Sequence, residues 1–357
     1  MTGEPLAEFY GERRVLVTGH TGFKGGWLTT WLKLLGARVI GFALPPETHP
    51  NLFSAAEIEA NTTSILGDVT DRAAVASVFK NYEPEIVIHN AAQALVRRSY
   101  RQPVETYATN VMGTVHVLDA ARQTPSLRSV VVITSDKCYE NREWARGYCE
   151  EDPMGGHDPY SSSKGAAELV TAAYRRSFFK GYGAAGIASA RAGNVIGGGD
   201  WSEDRLIPDI VRGITADQPV VIRRPDAVRP WQHVLEPVRG YLQLARKLWE
   251  EPQEYAEAWN FGPSDDEAVT VGDLARQLIS IWGKGELRIE PDPEAPHEAQ
   301  ELRLNCQKSC ARLGWRPVLN LKQALQWTAE WYRSFYEKPG AAAALTAAQI
   351  QNYMRMF

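Results

Sequence analysis

Apolar residues recur along this chain with two periods, and their alternation sets out an α/β architecture. Unbroken runs read as strands buried on both faces: Val15-Leu16-Val17, Val39-Ile40-Gly41-Phe42, Ile86-Val87-Ile88-His89 and Val130-Val131-Val132-Ile133. Between them the spacing turns helical. Trp27, Leu28, Trp31, Leu32 and Leu35 form one apolar stripe, stopped by Gly36, and Val75, Val78, Phe79 and Tyr82 form another, begun near Asp71. Residues 106–122 and 160–182 read as further helices, 64–69 as a short third strand and 185–191 as a sixth strand. This order predicts a doubly wound parallel sheet of Rossmann type, with chemistry expected beyond the carboxyl ends of the strands.

After Arg191 the pattern becomes irregular. Glycines 197–199 and Pro208, Pro219, Pro225 and Pro230 divide it into short pieces. Helices are predicted over 234–249, 271–282 and 321–336, a strand over 259–262, and a proline- and acid-rich loop over 290–298. Residues 1–191 are expected to form a dinucleotide-binding domain, with a returning segment around 230–262, and 192–357 mainly a smaller α/β substrate domain. The segment 341–344 has helical propensity but no evident task.

Composition changes this picture little. A net charge of −4 over 357 residues gives no basic character for nucleic acid. Cys138, Cys149, Cys306 and Cys310 fit neither a C-x-x-C pair nor a zinc site, so reduced thiols and no metal are expected. The polar start, with no apolar run of membrane-spanning length, predicts a cytoplasmic protein without a signal peptide. Most of the 11 tryptophans lie at helical spacing with leucines and are expected in the core.

The candidate chemistry begins at the first strand–helix turn. Gly19, Gly22 and Gly25 stand three apart, with Phe23 and Lys24 among them. Such a turn lets backbone N–H groups at a helix start approach a pyrophosphate. Tyr160 and Lys164 stand four apart at the start of the long helix and so share a face; Ser135 follows the fifth strand. A tyrosine can take a proton from an alcohol when a nearby ammonium lowers its pKa.

With these motifs the chain resembles the extended short-chain dehydrogenase/reductase family over nearly its whole length. The likeness extends to Gly67-Asp68-Val69, His89-Asn90-Ala91-Ala92, Asn110 with Val111 and Gly113, Arg191-Ala192-Gly193-Asn194-Val195 and Arg229-Pro230-Trp231-Gln232-His233-Val234. The resemblance implies NAD as cofactor, held by the glycine turn, by Asp68 and Val69 beside the adenine, by Ala91 and Ala92 on the floor, and by Asn110, Tyr160 and Lys164. It implies a nucleotide-sugar substrate, with Gln93, Asn194, Arg205, Arg229 and Arg303 on the substrate side and the guanidinium groups of Arg205 and Arg229 matching phosphate oxygens. It also implies a homodimer or homotetramer through the helix carrying Tyr160 and Lys164.

Thr134-Ser135-Asp136-Lys137-Cys138-Tyr139 narrows the likeness. Epimerases of the family carry a small residue where Asp136 stands, whereas 4,6-dehydratases carry an acid. With Gly19-His20-Thr21-Gly22-Phe23-Lys24-Gly25-Gly26-Trp27-Leu28, the chain resembles the CDP-glucose branch, which serves dideoxyhexose synthesis for surface polysaccharide. The Asp-Lys pair alone also suits UDP-N-acetylglucosamine dehydratases. Asp136 is then the acid for the departing C6 hydroxyl and Lys137 a candidate base for the C5 proton. The stretch after the second strand, Phe42-Ala43-Leu44-Pro45-Pro46, offers neither the acid that suits NAD nor the arginine that suits NADP, and Glu47 comes late. His20 and Lys24 replace a small and an aliphatic residue of most relatives, and their bulk is expected to loosen cofactor retention.

Overall fold

The computed structural model describes residues 4–60, 62–181, 183–264, 269–290 and 302–357. Seven strands build one parallel sheet: β1 (Arg14–Thr18), β2 (Arg38–Ala43), β3 (Thr63–Leu66), β4 (Ile86–His89), β5 (Ser129–Ile133), β6 (Gly186–Ala192) and, returning late in the chain, a strand at Ala258–Phe261. Between β6 and that return lie β7 (Asn194–Ile196), β8 (Val220–Ile222), β9 (Val228–Arg229) and β10 (Trp231–His233), so the returning strand is β11. The sheet order is β11-β6-β5-β4-β1-β2-β3, the doubly wound arrangement that reverses at β1. β12 (Val269–Thr270) pairs with β9, β13 (Leu287–Ile289) with β8, and β10 with β7, making three small ribbons beside the sheet.

The central strands are buried throughout, and their side chains divide by alternation between two cores. Leu16, Val87, Val130 and Val132 face Val75, Val78, Phe79, Val117 and Leu118. Val15, Val17, Ile88 and Val131 face a larger core holding Trp27, Trp31, Trp259, Trp315 and Trp331, all fully buried. Local signals fix the helix ends. Asp71 caps Arg72–Tyr82 by accepting from the amides of Ala73 and Ala74, and Asp158 caps Pro159–Phe178 through Ser161 N. Gly36, at φ +78°, follows the glycine-turn helix Phe23–Leu34.

Three segments depart from the sequence pattern. The helix expected over 106–122 is divided into Pro103–Tyr107, a π-helical stretch Ala108–Met112 and Gly113–Ala121. The π stretch directs Asn110 inward to hydrogen-bond a neighbouring loop and helix. The long helix ends at Phe178, four residues before the expected end, and the next residue, Phe179, leaves the helix to pack into the core on one face of the sheet. The segment around 341–344 opens a helix, Ala342–Met354, that packs on the back of the glycine-turn helix. Tyr353 stacks edge-on against Trp31 with centroids 5.6 Å apart and donates to Glu236 Oε2 at 2.6 Å. The loop expected over 290–298 lies outside the described residues from 291 onward. Among the described residues no helix is long and apolar enough to cross a membrane, no His, Cys, Asp and Glu cluster could hold a metal ion, and the four cysteines are free.

Candidate active site

The carboxyl ends of the central strands open into one cleft of about 1060 Å³. Its β1 end is the glycine turn. Gly19 adopts φ +77°, and a Cβ there would lie 2.8 Å from Ala91 N; at Gly25 a Cβ would lie 2.0 Å from the Gly19 carbonyl oxygen. Backbone therefore touches backbone, which only glycine permits. Thr18 ties the turn to the floor: its Oγ1 accepts from Asn90 N and Ala91 N, both at 3.1 Å, and pairs with His89 Nδ1 at 2.7 Å. Gly19, Gly22, Phe23, Lys24, Asp68, Val69, Ala91, Ala92 and Gln93 line the cleft as expected for a dinucleotide cradle.

Gly25 and Asn110 do not line it. Gly25 serves the close backbone approach just described. Asn110 stands behind the floor, where its Oδ1 accepts from Gln93 N at 2.9 Å and its Nδ2 donates to Gln93 O and Ser163 Oγ. It positions the wall and does not touch the cofactor space. The Gln93 amide is itself turned back to Leu95 and Thr106, so this residue meets the cleft mainly through its backbone.

The centre of the cleft is formed where β5 ends. Ser135 caps the short turn Asp136–Cys138: its Oγ accepts from Lys137 N at 3.2 Å and donates to Asp136 Oδ1 at 2.9 Å. Asp136 is buried, and burial raises its pKa against the charge of Lys137, the Ser135 hydrogen bond and the charge of Arg229. Its carboxyl is thereby shifted toward the protonated form that an acid catalyst requires. Lys137 is half-buried on the same turn.

Tyr160 and Lys164 enter from the long helix. Tyr160 N donates to Ser99 Oγ at 3.1 Å, and Lys164 Nζ donates to the carbonyl of Ile133 at 3.3 Å. Burial pushes the Tyr160 phenol up to about 12, with a Ser135 hydrogen bond and then the Arg205 charge pulling it down. The expected lysine-driven lowering is therefore not the main effect on the protein alone, because Lys164 is directed at the strand carbonyl. Burial brings Lys164 itself down to about 8.

His20 and Lys24 behave differently from each other. His20 is buried beneath β2, its Nε2 2.8 Å from Ser64 Oγ. Gly41 makes that room, since a Cβ there would lie 2.3 Å from the imidazole. Burial lowers the His20 pKa to about 4. Lys24 points into the cleft, donating to Tyr241 Oη at 3.4 Å; burial, then the charges of Arg205 and Lys164, bring it down to about 7 against the pull of Asp136.

On the far side, Asn194, Arg205 and Arg229 line the cleft. Arg205 precedes the helix Leu206–Thr215 and lies 3.5 Å from Asp200 Oδ2. Arg303 does not line the described cleft. Its carbonyl accepts from Tyr148 N, and Leu302 and Leu304 beside it pack into a small cluster with Cys138, Tyr139 and Tyr148. That packing turns the segment toward the back of the catalytic turn.

Two arrangements escaped the sequence. Glu168 and Arg191 form a buried pair behind the turn; Glu168 also accepts from Thr134 Oγ1 and Ser189 Oγ, and Arg191 donates to Tyr139 Oη. At the rim, Arg98 binds both oxygens of Glu47 at 2.9 and 2.7 Å and reaches Glu203. The arginine run 97–98 was the available signal for the second; charged residues inside apolar helix and strand patterns were the signal for the first.

The profile of the family described as GDP-mannose 4,6 dehydratase matches residues 16–328. The chain belongs to this family. Within it, the CDP-glucose 4,6-dehydratase of Salmonella typhimurium is 49% identical over 331 residues, covering 92% of each chain. A dTDP-glucose 4,6-dehydratase of Xanthomonas campestris is 25% identical, covering 89% of this chain and 92% of its own. The fold is shared with the dTDP-glucose 4,6-dehydratase of Bacillus anthracis, solved in complex with NAD, with a TM-score of 0.76 at 22% identity over 91% of this chain and 98% of that one. It is shared equally with the UDP-glucose 4-epimerase of Thermus thermophilus, with a TM-score of 0.76 at 24% identity over 90% of this chain and 99% of that one. The family, an extended short-chain dehydrogenase/reductase group, is thus the one that the glycine turn and the Tyr160/Lys164 pair suggested.

Proposed function

We propose that the chain is a hydro-lyase that converts CDP-glucose to CDP-4-keto-6-deoxyglucose and water, with NAD as a resident cofactor. The observation that carries this reading is the buried Asp136 carboxyl, bonded to Ser135 in the cleft that Tyr160 enters. The 49% identical relative points to the same substrate. The side-chain-free contacts at Gly19 and Gly25 fit a dinucleotide pyrophosphate. When bound, NAD supplies the acceptor for the C4 hydride and its donor to C6, so no outside redox partner is needed.

The chain's own residues handle the protons. Tyr160 takes the proton of the C4 hydroxyl, and Ser135 orients that oxygen. Ser135 has a single hydroxyl proton, and in the protein alone it points at Asp136; a bound sugar oxygen offers it a second acceptor. The C4 ketone acidifies C5, and Lys137 is the candidate base for that proton, a role that requires its amine in the neutral form. Asp136 protonates the departing C6 hydroxyl. Lys164 holds the nicotinamide ribose, while Arg205, Arg229 and Asn194 hold the diphosphate. Incubation of the protein with a panel of nucleotide sugars, followed by detection of a 4-keto-6-deoxy product, tests the reading; product from CDP-glucose is expected.

The same reading places the enzyme in the cytoplasm, serving dideoxyhexose synthesis for surface polysaccharide such as lipopolysaccharide O-antigen. It also makes the enzyme a homo-oligomer. Leu169 on the Tyr160 helix and Val104, Tyr107 and Met112 on the helical segments packed against it are exposed, an apolar face suited to a second copy.

A further inference from the structure

The cleft continues past the phosphate-matching arginines. With the glycine turn at one end and Tyr160, Ser135 and Asp136 at the centre, a nucleotide sugar whose glucose lies at Tyr160 and whose diphosphate lies at Arg205 and Arg229 has one space left for its nucleoside. That space is walled by the helix Leu206–Thr215 and by β8. Pro208, Gly213 and Val220 line it, with Arg223 and Arg224 just past the end of β8. At Gly213 a Cβ would lie 2.9 Å from Val220 Cγ2, so helix and strand are in close contact there. Asp209 places a carboxylate on this wall, one helical turn beyond Arg205.

Asp209 is held but not used up. Its Oδ1 accepts from Arg212 Nη2 at 2.5 Å, and Arg212 is fixed in turn by the carbonyls of Trp201 and Ser202. Oδ2 has no hydrogen bond among the described residues. The carboxylate thus has a set direction and, on a half-exposed side chain that lines the cleft, a spare acceptor. Pyrimidine bases differ most at position 4. Cytosine carries an amino donor there, whereas uracil and thymine carry a carbonyl acceptor. A carboxylate accepts from the first and repels the second.

We infer that Asp209 is a specificity-determining residue that selects the cytosine nucleotide by accepting a hydrogen bond from the 4-amino group. The assignment rests on the CDP-glucose reading and adds the group that enforces it. Arg212 acts through Asp209 as a positioning residue.

The test measures kcat/KM for CDP-glucose and UDP-glucose with the NAD-loaded full chain, as wild type and as Asp209→Asn. The asparagine keeps the size but can turn an amide N–H toward the uracil carbonyl. The CDP-to-UDP ratio should fall about 10–100-fold, the usual worth of a hydrogen bond to a charged group, and mainly through KM. A ratio unchanged from wild type overturns the assignment. That includes equal loss on both substrates, which a ribose contact or a structural role would give. A second measurement needs no variant: calorimetric binding of CDP, UDP and the diphosphate of 2-pyrimidinone riboside, which lacks the amino group, to wild type. The 2-pyrimidinone nucleotide should bind about 10–100-fold more weakly than CDP; equal binding overturns the assignment. The two failures separate cleanly. Wild type that prefers UDP-glucose overturns the substrate reading and this inference together, whereas wild type that prefers CDP-glucose with an unmoved Asp209→Asn ratio overturns the inference alone.

Discussion

Glu168 and Arg191 meet through two hydrogen bonds of 2.9 Å, from Nε to Oε1 and from Nη2 to Oε2, in a space closed to solvent. The pair braces the catalytic turn from both sides. Thr134, held by Glu168, precedes Ser135, and Tyr139, held by Arg191, ends the turn that carries Asp136 and Lys137. Breaking a buried pair from one side leaves an uncompensated charge, which costs about 3–5 kcal/mol. Glu168→Gln is therefore expected to lose stability of that order by urea denaturation. Burial raises the Glu168 pKa, but Arg191 and the three hydrogen-bond donors outweigh it and hold the value below the ordinary glutamate range. The stabilisation is complete above the unfolded-state pKa and is lost as pH falls through the folded value, so wild type should lose stability on acidification more steeply than Glu168→Gln, which lacks this share.

Tyr160→Phe and Lys164→Met should each abolish turnover and leave the fold intact. Both side chains reach the cleft, and neither carries the sheet. Circular dichroism checks the fold and a product assay the turnover; Tyr160→Phe within a few-fold of wild type would remove the tyrosine from its role.

Asp136→Asn separates the two halves of the reaction. Ketone formation at C4 relies on Tyr160 and Ser135, whereas loss of the C6 hydroxyl needs a proton that an amide does not supply. Single-turnover absorbance should show reduced cofactor accumulating while dehydration slows by about 10²–10⁴. Equal loss of both steps would contradict the assignment. In wild type run in deuterated water, deuterium is expected at C5, with the original C4 hydrogen at C6.

Lys24→Ile should bind NAD more tightly than wild type by calorimetric titration, because an aliphatic chain restores close packing at the helix start; weaker binding would show that the ammonium attracts the cofactor. The lysine also gives a pH signature. Burial holds its pKa near 7 in the folded protein against 10.5 when unfolded. Between those values the unfolded state binds the extra proton, so wild-type stability should rise with pH across that window, and Lys24→Ile should lack its share of the rise.

The sheet and the centre of the cleft were legible because they rest on local signals. Alternating periods identified β1, β2, β4, β5 and β6, and a four-residue spacing put Tyr160 and Lys164 on one face. Contacts between distant segments left no such signal. Asn110 lies on an apolar helical pattern, and only the π turn reveals that it serves Gln93 and Ser163. Arg303 read as a substrate-side residue, and the bridge between Tyr148 and Leu304 beside it was not visible. The Tyr160 pKa was judged from neighbouring positive charge, without the burial that dominates it.

The helix Ala342–Met354 covers Trp31 on the first helix after the glycine turn. During synthesis that tryptophan leaves the ribosome early, while its cover follows after every other described element. At about 5–20 residues per second the nascent chain spends on the order of tens of seconds with this apolar surface bare. A truncated messenger or a stalled ribosome would therefore release a chain with its glycine turn already made and the rear of that helix open to chaperones and proteases. The back of the cofactor cradle is thus finished only once residues 342–354 have been made.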